Sequence, residues 1–119
     1  MTEPIARTFE IASATVAEGS SFASVIGGWP VLLARVDGRV CAVIDRCSHA
    51  ASPLSEGRLR RGQIMCPLHG ARFDLATGRC VGGPYEPLKT FAVREADGRI
   101  TIDVPAAPPA AEHLPVMPV

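Results

Sequence analysis

Two short runs in this chain, Cys47-Ser48-His49 and Cys66-Pro67-Leu68-His69, each offer one thiol and one imidazole, with sixteen residues between His49 and Cys66. A mixed [2Fe–2S] centre needs this inventory, because two thiolates bind one iron and two imidazoles bind the other. Each loop then presents one ligand of each kind to a cluster held between them. The oxidised core carries two positive charges, which two thiolates cancel, whereas four thiolates would leave a dianion. A neutral centre accepts an electron more readily. The potential therefore rises from about −400 mV for all-thiolate plant-type clusters into the range of roughly −150 to +300 mV. The added electron should reside on the His-bound iron.

The same four residues are also a zinc set. Zinc sites normally use Cys pairs two to four residues apart, and Cys-x-His leaves little room for both side chains to reach one ion. A nucleophilic Cys–His dyad fits less well, since the pairs are symmetric and no third residue offers to orient a base. Cys41, in an apolar run, and Cys80, after a turn, read as free thiols serving as small hydrophobes. Trp29 and Phe91 read as core or turn-packing aromatics. His113 reads as solvated, and the arginines at 58, 60 and 61 as a solvated loop. If those arginines instead steer a partner, their loss should slow electron transfer at low salt.

The elements that must position the pairs are strands. Helical periodicity is hard to find, and short β-branched and aromatic runs recur between turn residues, which predicts an all-β domain. Strands are expected at residues 8–12, 21–26, 31–36, 40–44, 63–65, 72–75, 89–95 and 99–104. Gly27-Gly28, Asp37-Gly38 and Asp97-Gly98 supply the turns, with Asp-Gly favouring the positive φ angles of a two-residue hairpin. Residues 46–85 are rich in Gly, Pro and Ser, and a loop-rich stretch of that length needs something to hold it. Both Cys–His pairs fall there, so a metal centre would supply the missing core. The expected organisation is one domain over residues 5–104, with the cluster-binding subdomain at about 46–85 inserted in a β base. A Pro/Ala-rich tail follows at 105–119, read as flexible or loosely docked.

With 119 residues there is room for a modest core and little for an elaborate active site, which favours a carrier or binding module. Twelve basic and twelve acidic residues cancel without a block of either sign, so no nucleic-acid footprint is present. No stretch approaches the roughly 18 apolar residues of a membrane span, and the first residues lack the basic and apolar regions of an export signal. A cytoplasmic, soluble protein without a membrane partner is expected. Metal binding then suits the cysteines better than disulfides.

The longer pattern, Cys-Ser-His, then Cys-Pro-Leu-His-Gly-Ala-Arg-Phe-Asp, Ala-Thr-Gly and Gly-Pro-Tyr-Glu-Pro-Leu, resembles the Rieske ferredoxins of bacterial ring-hydroxylating dioxygenases over about residues 5–104. The resemblance implies the Rieske fold, an antiparallel β-sandwich base with a loop-rich cluster-binding subdomain. It implies one [2Fe–2S] cluster, with Cys47 and Cys66 on the inner iron and His49 and His69 on the outer one near the surface. It further implies that Gly70 allows close backbone approach and that Pro84 belongs to a proline loop covering the cluster. Such a protein is not catalytic alone: it takes electrons from a flavoprotein ferredoxin reductase and passes them to a terminal Rieske non-haem-iron oxygenase. Ala50, Ala51, Leu68 and Pro84 would line the contact. A second reading is a Rieske-like small subunit of an assimilatory nitrite reductase. The presence of all four ligands favours a working carrier.

The departures from the high-potential respiratory Rieske proteins carry information too. Where those have a disulfide-forming Cys in each loop, this chain has Ser52 and Leu68, and where they have Ser and Tyr donors to the cluster sulfurs it has Ala71 and Phe73. Fewer donors leave the reduced state less stabilised. Protein-film voltammetry should therefore give a potential at the low end of the Rieske range that falls as pH rises above the ligand pKa of the oxidised form. A clearly positive potential, or one flat into strong alkali, would contradict this reading.

Overall fold

The computed structural model describes residues 5–48, 51–68 and 70–116. Among these residues ten strands form three antiparallel sheets, and the only helical pieces are three single 3-10 turns. The first sheet has the order β1 (Ala6–Ala12), β10 (Arg99–Pro105), β9 (Ala92–Ala96). The second is β2 (Ser21–Ile26), β3 (Trp29–Val36), β4 (Arg39–Ile44). The third holds β5 (Arg58–Arg60), β6 (Gln63–Met65), β7 (Arg72–Asp74) and β8 (Cys80–Val81) in sequence order.

Hairpin chemistry sets the registers. Ile26 pairs with Trp29, Val36 with Arg39, Arg60 with Gln63 and Ala96 with Arg99, each pair closing a two-residue loop. Both residues of every loop have positive φ, the condition for a type I′ turn that matches strand twist. Three of these turns follow from Gly-Gly and Asp-Gly. The fourth, Arg61-Gly62, with φ of 52° and 76°, was not expected, nor was β5. The run of arginines around Leu59 therefore lies on a strand and its turn. Residues 89–91, expected in β9, instead run alongside β4: Ile44 N–H donates to Lys89 O at 2.9 Å and Phe91 N–H to Ala42 O at 3.0 Å.

These bonds stitch the first two sheets into one base. The central strand β3 is buried at every residue from Trp29 to Ala34, whereas β10 buries Ile100, Ile102 and Val104 and leaves the alternate positions less covered. The third sheet follows the same alternation. Ile64 and Phe73 face inward, fully covered, against half-buried Leu59, and Arg58, Arg60, Met65 and Arg72 face outward. Burying Phe73 stabilises by about 1.5–3 kcal/mol and anchors this sheet to the rest of the core.

The segment 105–116, expected to be flexible or loosely docked, is attached along its length. Ala106 N–H continues the β1 pairing through Ile5 O at 3.2 Å, and Trp29 Nε1–H donates to Ala107 O at 3.1 Å. His113, expected in solvent, is half-buried with its ring centroid 4.9 Å from that of Trp29. Proline fixes φ and lowers the entropy lost on ordering, so the same prolines that suggested a loose tail favour an extended docked one.

A fork from Arg35 on β3 to Glu95 on β9 ties the two base sheets, with Nη1–Oε1 2.8 Å and Nη2–Oε2 2.5 Å. The Arg35 hydrogen bond holds the Glu95 carboxyl down from 4.5 to about 2. A folded-state value below the unfolded one means stability present at neutral pH and lost as acid protonates the group. Thermal melts should therefore show Glu95→Gln with a shallower loss of stability than the parent as pH falls from about 4.5 through about 2. Identical acid profiles would show that the fork carries none of it.

Candidate metal centre

The two predicted ligand pairs begin at the ends of strands. Cys47 follows β4 by three residues and Cys66 follows β6 directly, and both are essentially fully buried. Around each cysteine the backbone closes in the same way. Cys47 N–H donates to Ser52 O at 2.9 Å, and Ala51 N–H donates back to Cys47 O at 2.8 Å. Cys66 N–H donates to Ala71 O at 2.7 Å, and Gly70 N–H donates back to Cys66 O at 3.1 Å. The residue four positions after each cysteine has positive φ, 58° at Ala51 and 72° at Gly70. At these described residues the two loops are conformational twins. His49 stands two residues after its cysteine and His69 three after its own, and both histidines lie outside the described residues, as does Ala50.

Gly70, expected to allow close backbone approach at the second loop, has φ 72°, and a Cβ built there meets nothing within 4 Å among the described residues. Its requirement is the left-handed conformation, which a β-carbon disfavours by roughly 1–2 kcal/mol. Loop one carries that cost at Ala51, which was expected to line the partner contact but not to adopt a left-handed conformation.

Asp45 also went unmarked. It is buried, its N–H donates to Pro30 O at 2.9 Å, and its carboxylate accepts from Ser55 N–H and Ser55 Oγ–H, both at 2.8 Å. Asp45 and Ser55 thus pin together the two ends of the stretch containing Cys47. The only signal for this was an acidic residue closing an apolar strand. Ser48 Oγ–H donates to Glu86 O at 2.5 Å and ties the first loop to the segment containing Pro84, which is itself exposed. That segment is fixed at its far end where Leu88 N–H donates to Gly78 O at 2.7 Å. A Cβ on Gly78 would lie 2.4 Å from Leu88 O, so glycine is needed there. The preceding Asp74 shapes the turn by accepting from the N–H groups of Ala76 and Thr77 at 2.8 and 3.0 Å.

Ser52 and Ala71 are buried at equivalent corners of the twin loops, Phe73 is fully buried, and Leu68 is 48% exposed. Cys41 and Cys80 are half-buried; burial pushes the Cys41 thiol up, as suits an inert thiol.

The family model for the Rieske [2Fe–2S] domain matches residues 7–92. The chain belongs to the Rieske [2Fe–2S] family. Relatives include the ferredoxin component of a naphthalene 1,2-dioxygenase system from Pseudomonas aeruginosa, 34% identical over 75% of this chain and 86% of the relative. The ferredoxin subunit of a 3-phenylpropionate/cinnamic acid dioxygenase from Shigella flexneri is 42% identical over 66% of this chain and 76% of its own. Among solved structures, the Sphingomonas yanoikuyae B1 ferredoxin superposes with a TM-score of 0.71 at 32% identity, covering 79% of this chain and 94% of that one. A second, from a complex of reduced oxygenase and oxidised ferredoxin in carbazole 1,9a-dioxygenase, gives 0.74 at 27% identity, covering 87% and 96%.

This Rieske protein is all-β as expected, its cofactor is a Rieske-type [2Fe–2S] cluster, and it is an electron carrier rather than a catalyst. The described residues fit that group. Two buried thiols at matching corners of twin loops suit an iron pair, since a buried thiolate is costly unless a cation compensates it. The twinning makes its own prediction. Gly70→Ala should lower stability by roughly 1–2 kcal/mol, while Ala51→Gly should be neutral or stabilising, both read by thermal melting of cluster-loaded protein. Equal losses for the two variants would mean the loops are not conformational equivalents.

Proposed function

We propose that Cys47, His49, Cys66 and His69 hold the cluster and that the protein relays single electrons from a flavin-dependent reductase to the terminal oxygenase of an aromatic-ring-hydroxylating dioxygenase system. The observation that carries this reading is the matched pair of buried cysteines in twin loops, each followed by a histidine in the sequence. When bound, the cluster supplies one-electron redox chemistry at constant ligation. The protein residues do the rest. Asp45, Ser55 and Ser48 fix the first loop, and the β6–β7 hairpin fixes the second, so little reorganises around the metal when its charge changes.

Relatives named as ferredoxin components of naphthalene, phenylpropionate and anthranilate dioxygenase systems support the oxygenase as recipient. No helix among the described residues is long and apolar enough to cross a membrane, in keeping with a cytoplasmic relay. Exposed Leu68 and Pro84 and half-buried Ala51 would border the contact with each partner.

Charge favours acidic partners. Arg58, Arg60, Arg61 and Arg72 line an open groove of about 810 Å³ on the outer face of the third sheet, beside Met65, which precedes Cys66. Among the described residues none of these four has a carboxylate within salt-bridge distance. A reconstituted system of this protein with reductase and oxygenase from its host should couple nicotinamide oxidation to substrate hydroxylation, and omission of this protein should abolish the coupling. Neutralising Arg58, Arg60 and Arg61 should slow transfer at low salt, with the deficit fading as salt screens the field. Full turnover without this chain would refute the relay, and unchanged rates for the arginine variants would refute steering.

A further inference from the structure

The segment 106–116 lies past the last strand and outside the family match, yet it ends on the loop of Cys47. We infer that it is a positioning strap for the first cluster loop, with Trp29 and His113 as its latch. The inference rests on the proposed ligand assignment for its effect on the cluster; the geometry of the strap stands independently of it.

Two bonds join the strap to the loop, one on each side of the cysteine. Arg46 Nε–H donates to Leu114 O at 3.3 Å, and Val116 N–H donates to Ala51 O at 2.7 Å. Ala51 is the residue that loop one holds at φ 58° without being glycine. The twin position in loop two is Gly70, which adopts that conformation readily, and no bond to it from the strap is present among the described residues. The strap therefore supports the one loop whose sequence disfavours its own shape. Substituting glycine at 51 would have removed the need.

The latch lies farther back. Trp29, 4% exposed, donates to Ala107 O, and the His113 ring packs on it at 4.9 Å with an interplanar angle of 48°. His113 Nδ1 accepts from Ala110 N–H at 2.9 Å, which closes the 3-10 turn Ala111–His113 and aims the following residues at the loop. A neutral imidazole accepting at Nδ1 carries its proton on Nε2. Pro105, Pro108, Pro109 and Pro115 keep the flanking backbone extended, which limits the entropy lost on docking. Pro109 also abuts Gly28, where a Cβ would meet it at 3.6 Å.

Loosening this strap should expose the first loop to water. The reduced cluster bears more negative charge than the oxidised one, so greater hydration favours the reduced state and raises the potential. Two variants test the strap: a stop codon after Ala106 and, in the full-length chain, His113→Ala. Removing the two bonds to the loop should speed cluster loss to a chelator on the order of ten-fold, the factor that about 1.4 kcal/mol represents. The truncated protein should also show a raised potential, faster amide exchange in residues 46–52 and unchanged exchange in 63–72. His113→Ala should move each readout in the same direction by less, and should alter the fluorescence of Trp29, the sole tryptophan. Unchanged exchange in 46–52 with an unchanged potential in the truncated protein would overturn the inference. If truncation prevents folding, unchanged exchange and potential in full-length His113→Ala overturn it instead. A full-length protein without a visible chromophore would refute the ligand assignment and leave the strap to be judged on exchange in 46–52 alone.

Discussion

The constraint on which the site depends is the backbone closure around each cysteine, in which its N–H reaches five residues ahead and its C=O is met from four residues ahead. This pair of hydrogen bonds turns the chain leaving each strand into a corner that holds a buried thiol. It requires a left-handed residue at the fifth position of each loop, supplied once by Gly70 and once by Ala51. Two such corners facing a common core explain how 119 residues can hold a cluster with few side-chain interactions beyond the ligands. Among the described residues, the N–H and C=O of each cysteine are both satisfied within its own loop.

Everything outside the loops serves to hold the corners still. The base sheets share a core built on the fully buried residues 29–34 and on Ile100, Ile102 and Val104, and are joined by the β4 pairing with residues 89–91 and by the Arg35–Glu95 fork. The third sheet hangs from this base through Ile64 and Phe73 and carries the second corner between β6 and β7. The first corner begins three residues past β4 rather than directly at a strand end, and it collects more supports: Asp45 with Ser55, Ser48 with Glu86, and Val116 on Ala51. Rigid positioning suits an electron carrier, because rearrangement around the metal would slow transfer.

Much of this was legible in the sequence. Asp37-Gly38 and Asp97-Gly98 dictate type I′ turns between β-branched runs, so the base hairpins followed directly. The proposed ligand pairs stand out in the sequence because a metal centre concentrates unusual residue types at fixed spacing. Three features were not legible. The Arg61-Gly62 turn hid because arginine carries no preference for positive φ, and with it went strand β5. Asp45 hid because one buried carboxylate is recognisable only once Ser55, ten residues on, is known to meet it. The docked C-terminal segment hid because proline-rich composition describes stiffness without saying whether a surface waits to receive it; Trp29, 78 residues before Ala107, is that surface.

The central claim is that the twin loops each give one thiolate and one imidazole to a single cluster. Pulsed electron paramagnetic resonance of the reduced, full-length protein tests it most directly by resolving nitrogen nuclei coupled to the unpaired spin. The account predicts two histidine nitrogens, with one lost in His49→Cys or His69→Cys protein that still binds the cluster. A spectrum without coupled histidine nitrogens, or one unchanged by either substitution, would contradict it.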